Sequence, residues 1–287
     1  MKDNAAKFGP AGQDDIFPTL HKGLIHMPRY LADKNLSAFE YQCGHGVRVS
    51  EASATALKAK AEEHGIAISL HGPYYISLSS PDEETRAKSI GHILSAARAV
   101  SWMGGERVVV HSGSVGKGSR AEALALASET LTRAQKLLDE EKLGHVRICP
   151  ETMGKHGQLG DLDEVLALCA VDERFLPCID FGHLNARTLG GVNSYEQMAA
   201  VLDAVANALG EERARTFHSH FSKIEYSAKG EVRHLTFDDE VYGPEFAPLA
   251  RLLRERSLAP TIICESRGRQ IDDALAMMRM YESEVAR

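Results

Sequence analysis

Short runs rich in Val, Ile, Leu and Phe alternate about eight times with longer amphipathic stretches rich in Ala, Glu, Lys and Arg. The runs have the length and composition of strands, and the stretches have the length and period of helices. Such a cadence with short connections demands parallel strands joined by right-handed crossovers. About eight units close into a (β/α)8 TIM barrel, whereas an open doubly wound sheet usually has fewer. The 287 residues suit one α/β barrel of this kind, which needs about 250. No Pro/Gly/Ser-rich linker interrupts the pattern, so residues 1–287 are read as a single TIM-barrel domain.

The expected strands begin with a weak one near Ala6–Gly9. Ala38–Cys43, Ile66–His71, Arg107–His111, Val146–Glu151, Phe175–Asp180, Arg215–His220 and Thr261–Glu265 follow. The expected helices are Ser50–His64, Glu84–Met103, Arg120–Glu141, Leu162–Ala170, Ser194–Leu209, Pro244–Ser257 and Asp272–Val285. Phe221–Gly243, after the seventh strand, is read as a long loop, and long βα loops are usually functional.

What ends each strand points to chemistry. The third ends in His71 (ISLHGPYY), the fourth in His111 (VVVHSGS) and the fifth in Glu151 (ICPETMG). The sixth ends in Asp180 with His183 just beyond (CIDFGHLN), the seventh in His218 and His220 (FHSHFSK), and the eighth in Glu265 (IICESR). In a barrel these ends form one ring around the mouth where TIM-barrel sites lie. Imidazole and carboxylate are the ligands of zinc, manganese and iron. One strand-end histidine alone is more often structural than a ligand, and a carboxylate there is commonly a helix N-cap, a role open to Asp180. Glu151 and Glu265 are poor caps by type. Several carboxylates gathered in one mouth without cations would be costly.

His218 and His220 are two apart and face the same side, so only one need be a primary ligand. His234 lies in the long loop. His21, His26, His64, His92 and His145 fall on expected helices or helix ends and are read as structural or solvated. Cys149 and Cys178 share the inward parity of Glu151 and Asp180 and are read as small core side chains.

The remaining features exclude other classes. The formal net charge of −7 lacks the basic excess of most nucleic-acid wrappers, although bound cations add positive charge where a phosphate would sit. The five scattered cysteines contain no C-x-x-C pair and fit a reducing cytoplasm. No apolar run is long enough for a membrane span, and Met1–Asp15 has no signal-like core. Gly113–Ser119 (GSVGKGS) lacks the Walker A spacing, and no G-x-S-x-G occurs, so neither an organic cofactor nor a serine nucleophile is expected.

The blocks His71-Gly-Pro-Tyr74, His111-Ser-Gly, Glu151-Thr, Asp180-Phe-Gly-His183, His218 to Lys223 and Glu265-Ser, in this order, resemble the endonuclease IV family of apurinic/apyrimidinic endonucleases. That family lies within the xylose-isomerase-like barrels, and the resemblance runs from the second strand to the last helix. It implies two or three zinc ions, with manganese or iron as substitutes. His71, His111 and Glu151 would hold the first ion. Glu151 would bridge to a second, held also by Asp180, His218 and Glu265. His183 and His234 would hold a third. The family's Asp two residues before the loop histidine is Val232 here, and Glu231 or His220 would have to complete that third set. The implied activity is hydrolysis of the phosphodiester 5′ to an abasic site in damaged DNA, with Glu151 and Glu265 as catalytic carboxylates. Tyr74 would lie near the abasic nucleotide, and Arg48, in CGHGVRVS, would be a DNA or phosphate contact. The protein is expected to be monomeric and cytoplasmic.

Two other functions fit the same ring. A sugar isomerase or epimerase would centre one divalent ion on Glu151, Asp180, His218 and Glu265, and the acidic charge favours it. A non-catalytic metal-binding protein of nucleic-acid metabolism would fit the altered position at Val232.

Overall fold

A computed structural model describes residues 5–284. Ten strands run in chain order as β1 (Lys7–Pro10), β2 (Ala38–Gln42), β3 (Ala67–His71), β4 (Arg107–Val110), β5 (Arg147–Pro150), β6 (Cys178–Asp180), β7 (His218–Phe221), β8 (Lys223–Ser227), β9 (Gly230–Leu235) and β10 (Thr261–Cys264). All but β8 and β9 are parallel and form the barrel, in two four-stranded arcs ordered β1-β10-β7-β6 and β2-β3-β4-β5. Single parallel bridges close the two gaps: Ala11 with Glu40 between β1 and β2, and Glu151 with Cys178 between β5 and β6. At the first seam the backbones approach so closely that a Cβ on Gly9 would stand 1.7 Å from the Ala38 carbonyl oxygen. Only glycine fits there.

The helices are α1 (Phe17–Leu20), α2 (Met27–Ala32), α3 (Glu51–His64), α4 (Glu83–Trp102), α5 (Arg120–Glu140), α6 (Leu162–Cys169), α7 (Phe181–Arg187), α8 (Tyr195–Leu209), α9 (Glu211–Thr216), α10 (Ala247–Glu255) and α11 (Gln270–Ser283). Their starts are written locally. Ser50 and Asp82 cap α3 and α4, while Ser119–Glu122, Asp161–Glu164 and Ser194–Gln197 form capping boxes at α5, α6 and α8. The helices bury Phe17, Phe39, Phe175, Phe181, Phe217, Phe221 and Phe246 against the outside of the barrel.

The expected elements are present with shifted ends. Phe175 and Leu176 stay outside β6, because Pro177 supplies no ladder N–H. Arg215 and Thr216 close α9, whose sequence Glu-Glu-Arg-Ala-Arg-Thr is helix-forming, so β7 starts only at His218. The stretch 221–243, expected as a loop, contains the antiparallel hairpin β8–β9. The expected helix end at Val285 lies outside the described residues, as do residues 1–4 of the N-terminal stretch. Among the described residues no helix is long and apolar enough to cross a membrane.

Candidate metal centre

Strand parity sends alternate residues into the lumen, and register decides their depth. On β7 the partners of His220 are Asp180 on β6 and Ile263 on β10, whereas His218 pairs one step lower with Cys178 and Thr261. The mouth layer above them is completed by His71, His111, Glu151, His183 and Glu265, which follow or end their strands. The apolar side chains Val109, Cys149, Leu176 and Cys178 form one buried cluster. Burial pushes the Cys149 thiol up to about 12, so it is a core side chain at neutral pH.

Among the described residues five groups of side chains converge with ligand atoms close enough to share an ion: His71, His111 and Glu151; Glu151, Asp180, His220 and Glu265; His183, Glu231 and His234; and two more built on His220, with His71 and Glu265 and with Cys178 and His218. Glu151 belongs to the first two. Its Oε2 lies 3.1 Å from His111 Nε2 and 3.4 Å from His71 Nε2. Its Oε1 lies 3.1 Å from His220 Nδ1 and 3.3 Å from His183 Nδ1. The carboxylate is buried. Burial alone would raise its pKa, but the imidazoles of His220, His111 and His183 hold it well below the usual range.

These residues fit divalent cations on two observations. First, Glu151 Oε2 and Asp180 Oδ2 are buried without a hydrogen-bond partner. Asp180 does cap α7, through Oδ1 accepting from His183 N at 2.7 Å, yet its other oxygen is left to the group. Second, backbone carbonyls fix the imidazoles. His71 Nδ1 lies 2.8 Å from Gly72 O, and His183 Nδ1 lies 2.9 Å from Thr152 O. Each ring then presents Nε2 to a carboxylate, His71 to Glu151 and His183 to Glu231. A lone pair facing a carboxylate is reconciled only by a proton or a cation, and such outer bonds commonly orient metal-binding histidines. Burial opposes protonation of His71, but Glu151 and Glu40 outweigh it and raise its pKa to about 9.

The structure corrects the placement of His218. It was expected beside Asp180 and Glu265, but His220 occupies that position, and His218 sits a layer deeper against Glu40, Nε2 to Oε2 at 2.9 Å. Burial lowers its pKa to about 4 in spite of Glu40, so it is a neutral imidazole at neutral pH. Glu40 itself escaped the sequence reading because β2 ends in no obvious ligand. The signal was the inward parity of Ala38, Glu40 and Gln42.

Val232 does not line the third group, and a bulge explains why. Glu225 pairs with Arg233 and Tyr226 with Glu231, so Val232 is an extra residue with no partner on β8. In a regular strand residues three apart face opposite sides. The extra residue brings Glu231 and His234 onto one face, and Val232 is left 48% exposed. His234 is held by the Ser222 hydroxyl, 2.8 Å from its Nδ1. Tyr74 stands at the rim, 54% exposed. Its hydroxyl lies 3.3 Å from His45 Nδ1, so His45 rather than Arg48 is its neighbour from the β2–α3 loop. Arg48 is exposed on that loop.

A family model described as a xylose isomerase-like TIM barrel matches residues 28–281. The chain belongs to the xylose isomerase-like TIM barrel family. Among relatives of this xylose isomerase-like barrel, an uncharacterized protein of Methanocaldococcus jannaschii is 35% identical over 247 residues, 86% of this chain and 88% of that one. A probable endonuclease 4 of Acholeplasma laidlawii is 30% identical over 178 residues, 59% of this chain and 58% of its own length. A solved D-tagatose 3-epimerase-like protein has a TM-score of 0.72 at 20% identity, over 98% of this chain and 97% of that one, a likeness of fold alone.

Proposed function

We propose that this barrel is a polynuclear metal-dependent phosphodiester hydrolase acting on DNA at abasic sites. The observation that carries the reading is the overlap of ligand groups at Glu151, together with the separate group His183, Glu231 and His234. A single-ion isomerase has no use for so many converging imidazoles. The partial sequence likeness to a probable endonuclease 4 supports the same class.

His71, His111 and Glu151 would hold one ion, Glu151, Asp180, His220 and Glu265 a second, and His183, Glu231 and His234 a third. Two or three zinc ions, replaceable by manganese or iron, would lower the pKa of water and neutralise charge developing on a phosphoryl group. The chain's own residues supply the rest. Glu151 and Glu265 fix the relative positions of the groups around the reacting phosphate. Tyr74 and His45 offer an aromatic edge at the rim for the nucleotide beside the lesion. Arg48, Lys117, Lys155 and Arg267, exposed on loops that follow barrel strands, would meet flanking phosphates.

The test is cleavage of a duplex oligonucleotide with one abasic site by zinc-loaded protein, alongside an undamaged duplex and the Glu151→Gln variant. Scission at the lesion alone, lost in the variant, is the expected result. The second reading, a one-ion ketose epimerase on Glu151, Asp180, His220 and Glu265, is favoured by the likeness of fold to the epimerase-like protein. Epimerisation of a free ketohexose by the manganese-loaded protein, with no cleavage of the abasic duplex, would replace the first reading by the second.

A further inference from the structure

Glu40 is the most buried charge in the barrel that the proposed chemistry leaves without a task. It lies inside the lumen on β2, fully excluded from solvent, where an ionised carboxylate is expensive unless well partnered. Its partners come from three strands. Ser69, its register partner on β3, donates Oγ to Oε2 at 2.9 Å, and Gln42 on its own strand donates Nε2 to Oε1 at 3.1 Å. His218 on β7 lies 2.9 Å from Oε2. His220, the next inward residue of β7, lies with Nε2 3.0 Å from Oε1 without a hydrogen bond to it, while its Nδ1 is hydrogen-bonded to Glu151 Oε1 at 3.1 Å.

The His220 ring is thus suspended between two carboxylates. Nε2 points down to Glu40, and Nδ1 points up into the group of Glu151 and Glu265, at 3.1 and 3.6 Å from their oxygens. Once Nδ1 is committed to a cation, the one remaining N–H of a neutral imidazole is at Nε2, and the acceptor it faces is Glu40. We infer that Glu40 is a positioning residue: its carboxylate holds His220 as the Nε2–H tautomer and aims Nδ1 at the ion shared with Glu151, Asp180 and Glu265. Carboxylates that bind the far nitrogen of a metal-binding histidine fix the ring and raise its basicity. Ser69, Gln42 and His218 keep Glu40 in place by saturating its other lone pairs.

The inference rests on the metal-centre reading, and the test separates the two. Zinc is titrated against a competing chelator into the full-length protein, its Glu40→Gln variant and its Ser69→Ala variant. Glu40→Gln should weaken one ion by about 10–100-fold and leave an ion held by His183, Glu231 and His234, which Glu40 does not touch, at parental affinity. Ser69→Ala, which spares the His220 contact, should change zinc binding far less. Equal affinity of parent and Glu40→Gln for every ion would overturn the role of Glu40 while leaving the metal centre standing. A parent that takes up no zinc would overturn both. Nitrogen-15 histidine spectra of the zinc-loaded parent give an answer that needs no variant to fold. The expected signature is His220 metal-bound at Nδ1 with a slowly exchanging proton on Nε2. Coordination through Nε2 would overturn the inference.

Discussion

His183 Nε2 and Glu231 Oε2 lie 3.5 Å apart, an imidazole from the first turn of α7 facing a carboxylate from the edge of the β8–β9 hairpin. Removing that carboxylate leaves only His183 and His234 of that group. The Glu231→Ala variant should therefore hold one fewer ion per chain than the parent by elemental analysis. Adding Val232→Asp in the same background should not restore it, because the bulge turns that position away from the group. Recovery of parental stoichiometry would refute the bulge argument.

Gly154 lies behind the same pair. A Cβ there would stand 2.6 Å from Glu231 Cβ and 3.0 Å from His183 Cδ2, so the Glu231 side of the group must shift. Gly154→Ala should weaken that one ion by about 10-fold or more and leave the others bound. Isothermal titration with zinc resolves the two cases, and unchanged binding at all sites would count against the placement of the hairpin.

Gly9→Ala tests the β1–β2 seam. The added methyl would collide with the Ala38 carbonyl, a backbone atom that cannot rotate aside. Overpacking of this kind should cost about 4 kcal/mol, read as a lowered urea midpoint. A midpoint within about 0.5 kcal/mol of the parent would mean that the seam is looser than described.

Acid should loosen the β5–α6 connection. Burial would raise the Glu164 pKa, but Arg120, at 2.6 Å from each carboxylate oxygen, and the N–H groups of Gly160 and Asp161 outweigh it and lower it. A depressed folded pKa stabilises fully above the ordinary value of the carboxyl and is lost as pH falls through the folded one. Glu164→Gln should cost about 1–3 kcal/mol at pH 7 and flatten the decline in stability below about pH 4.5. Parallel urea titrations at neutral and acid pH check this, and an identical slope in parent and variant would contradict it.

Metal should stabilise the fold by mass action. With free zinc at 100 times its dissociation constant, one site adds about 2.7 kcal/mol. Differential scanning calorimetry with and without chelator should show the transition falling when metal is removed. An unmoved transition would mean that the gathered ligands bind no ion tightly.

The barrel and the residue types of its mouth were legible because alternation and strand-end chemistry are local signals. His71, His111, Glu151, Asp180, His183 and Glu265 were found by that route, whereas His234, in the long loop, entered only through the family resemblance; the structure brings all seven to one end of the barrel. Depth was not legible. His218 and His220 share a face, and only the register of β7 against β6 and β10 decides which one reaches the mouth. Glu40 was missed for a related reason: its inward parity on β2 could be read, but which residues it faces across the lumen could not. The hairpin left a trace in the alternation of Lys223–Ser227 before Lys-Gly, but its bulge left none. A one-residue insertion changes which side chains share a face without changing composition.

The two single-bridge seams of the barrel are each crossed at a site carboxylate, Glu40 at one and Glu151 at the other. Glu40, from the arc β2-β3-β4-β5, grips His218 and His220 of the opposite arc. An ion shared by Glu151 with Asp180, His220 and Glu265 would tie the same halves together at the far seam. The ligand-bearing mouth thereby doubles as the clasp of the cylinder, and a half-barrel that drifted open would pull the converging side chains apart.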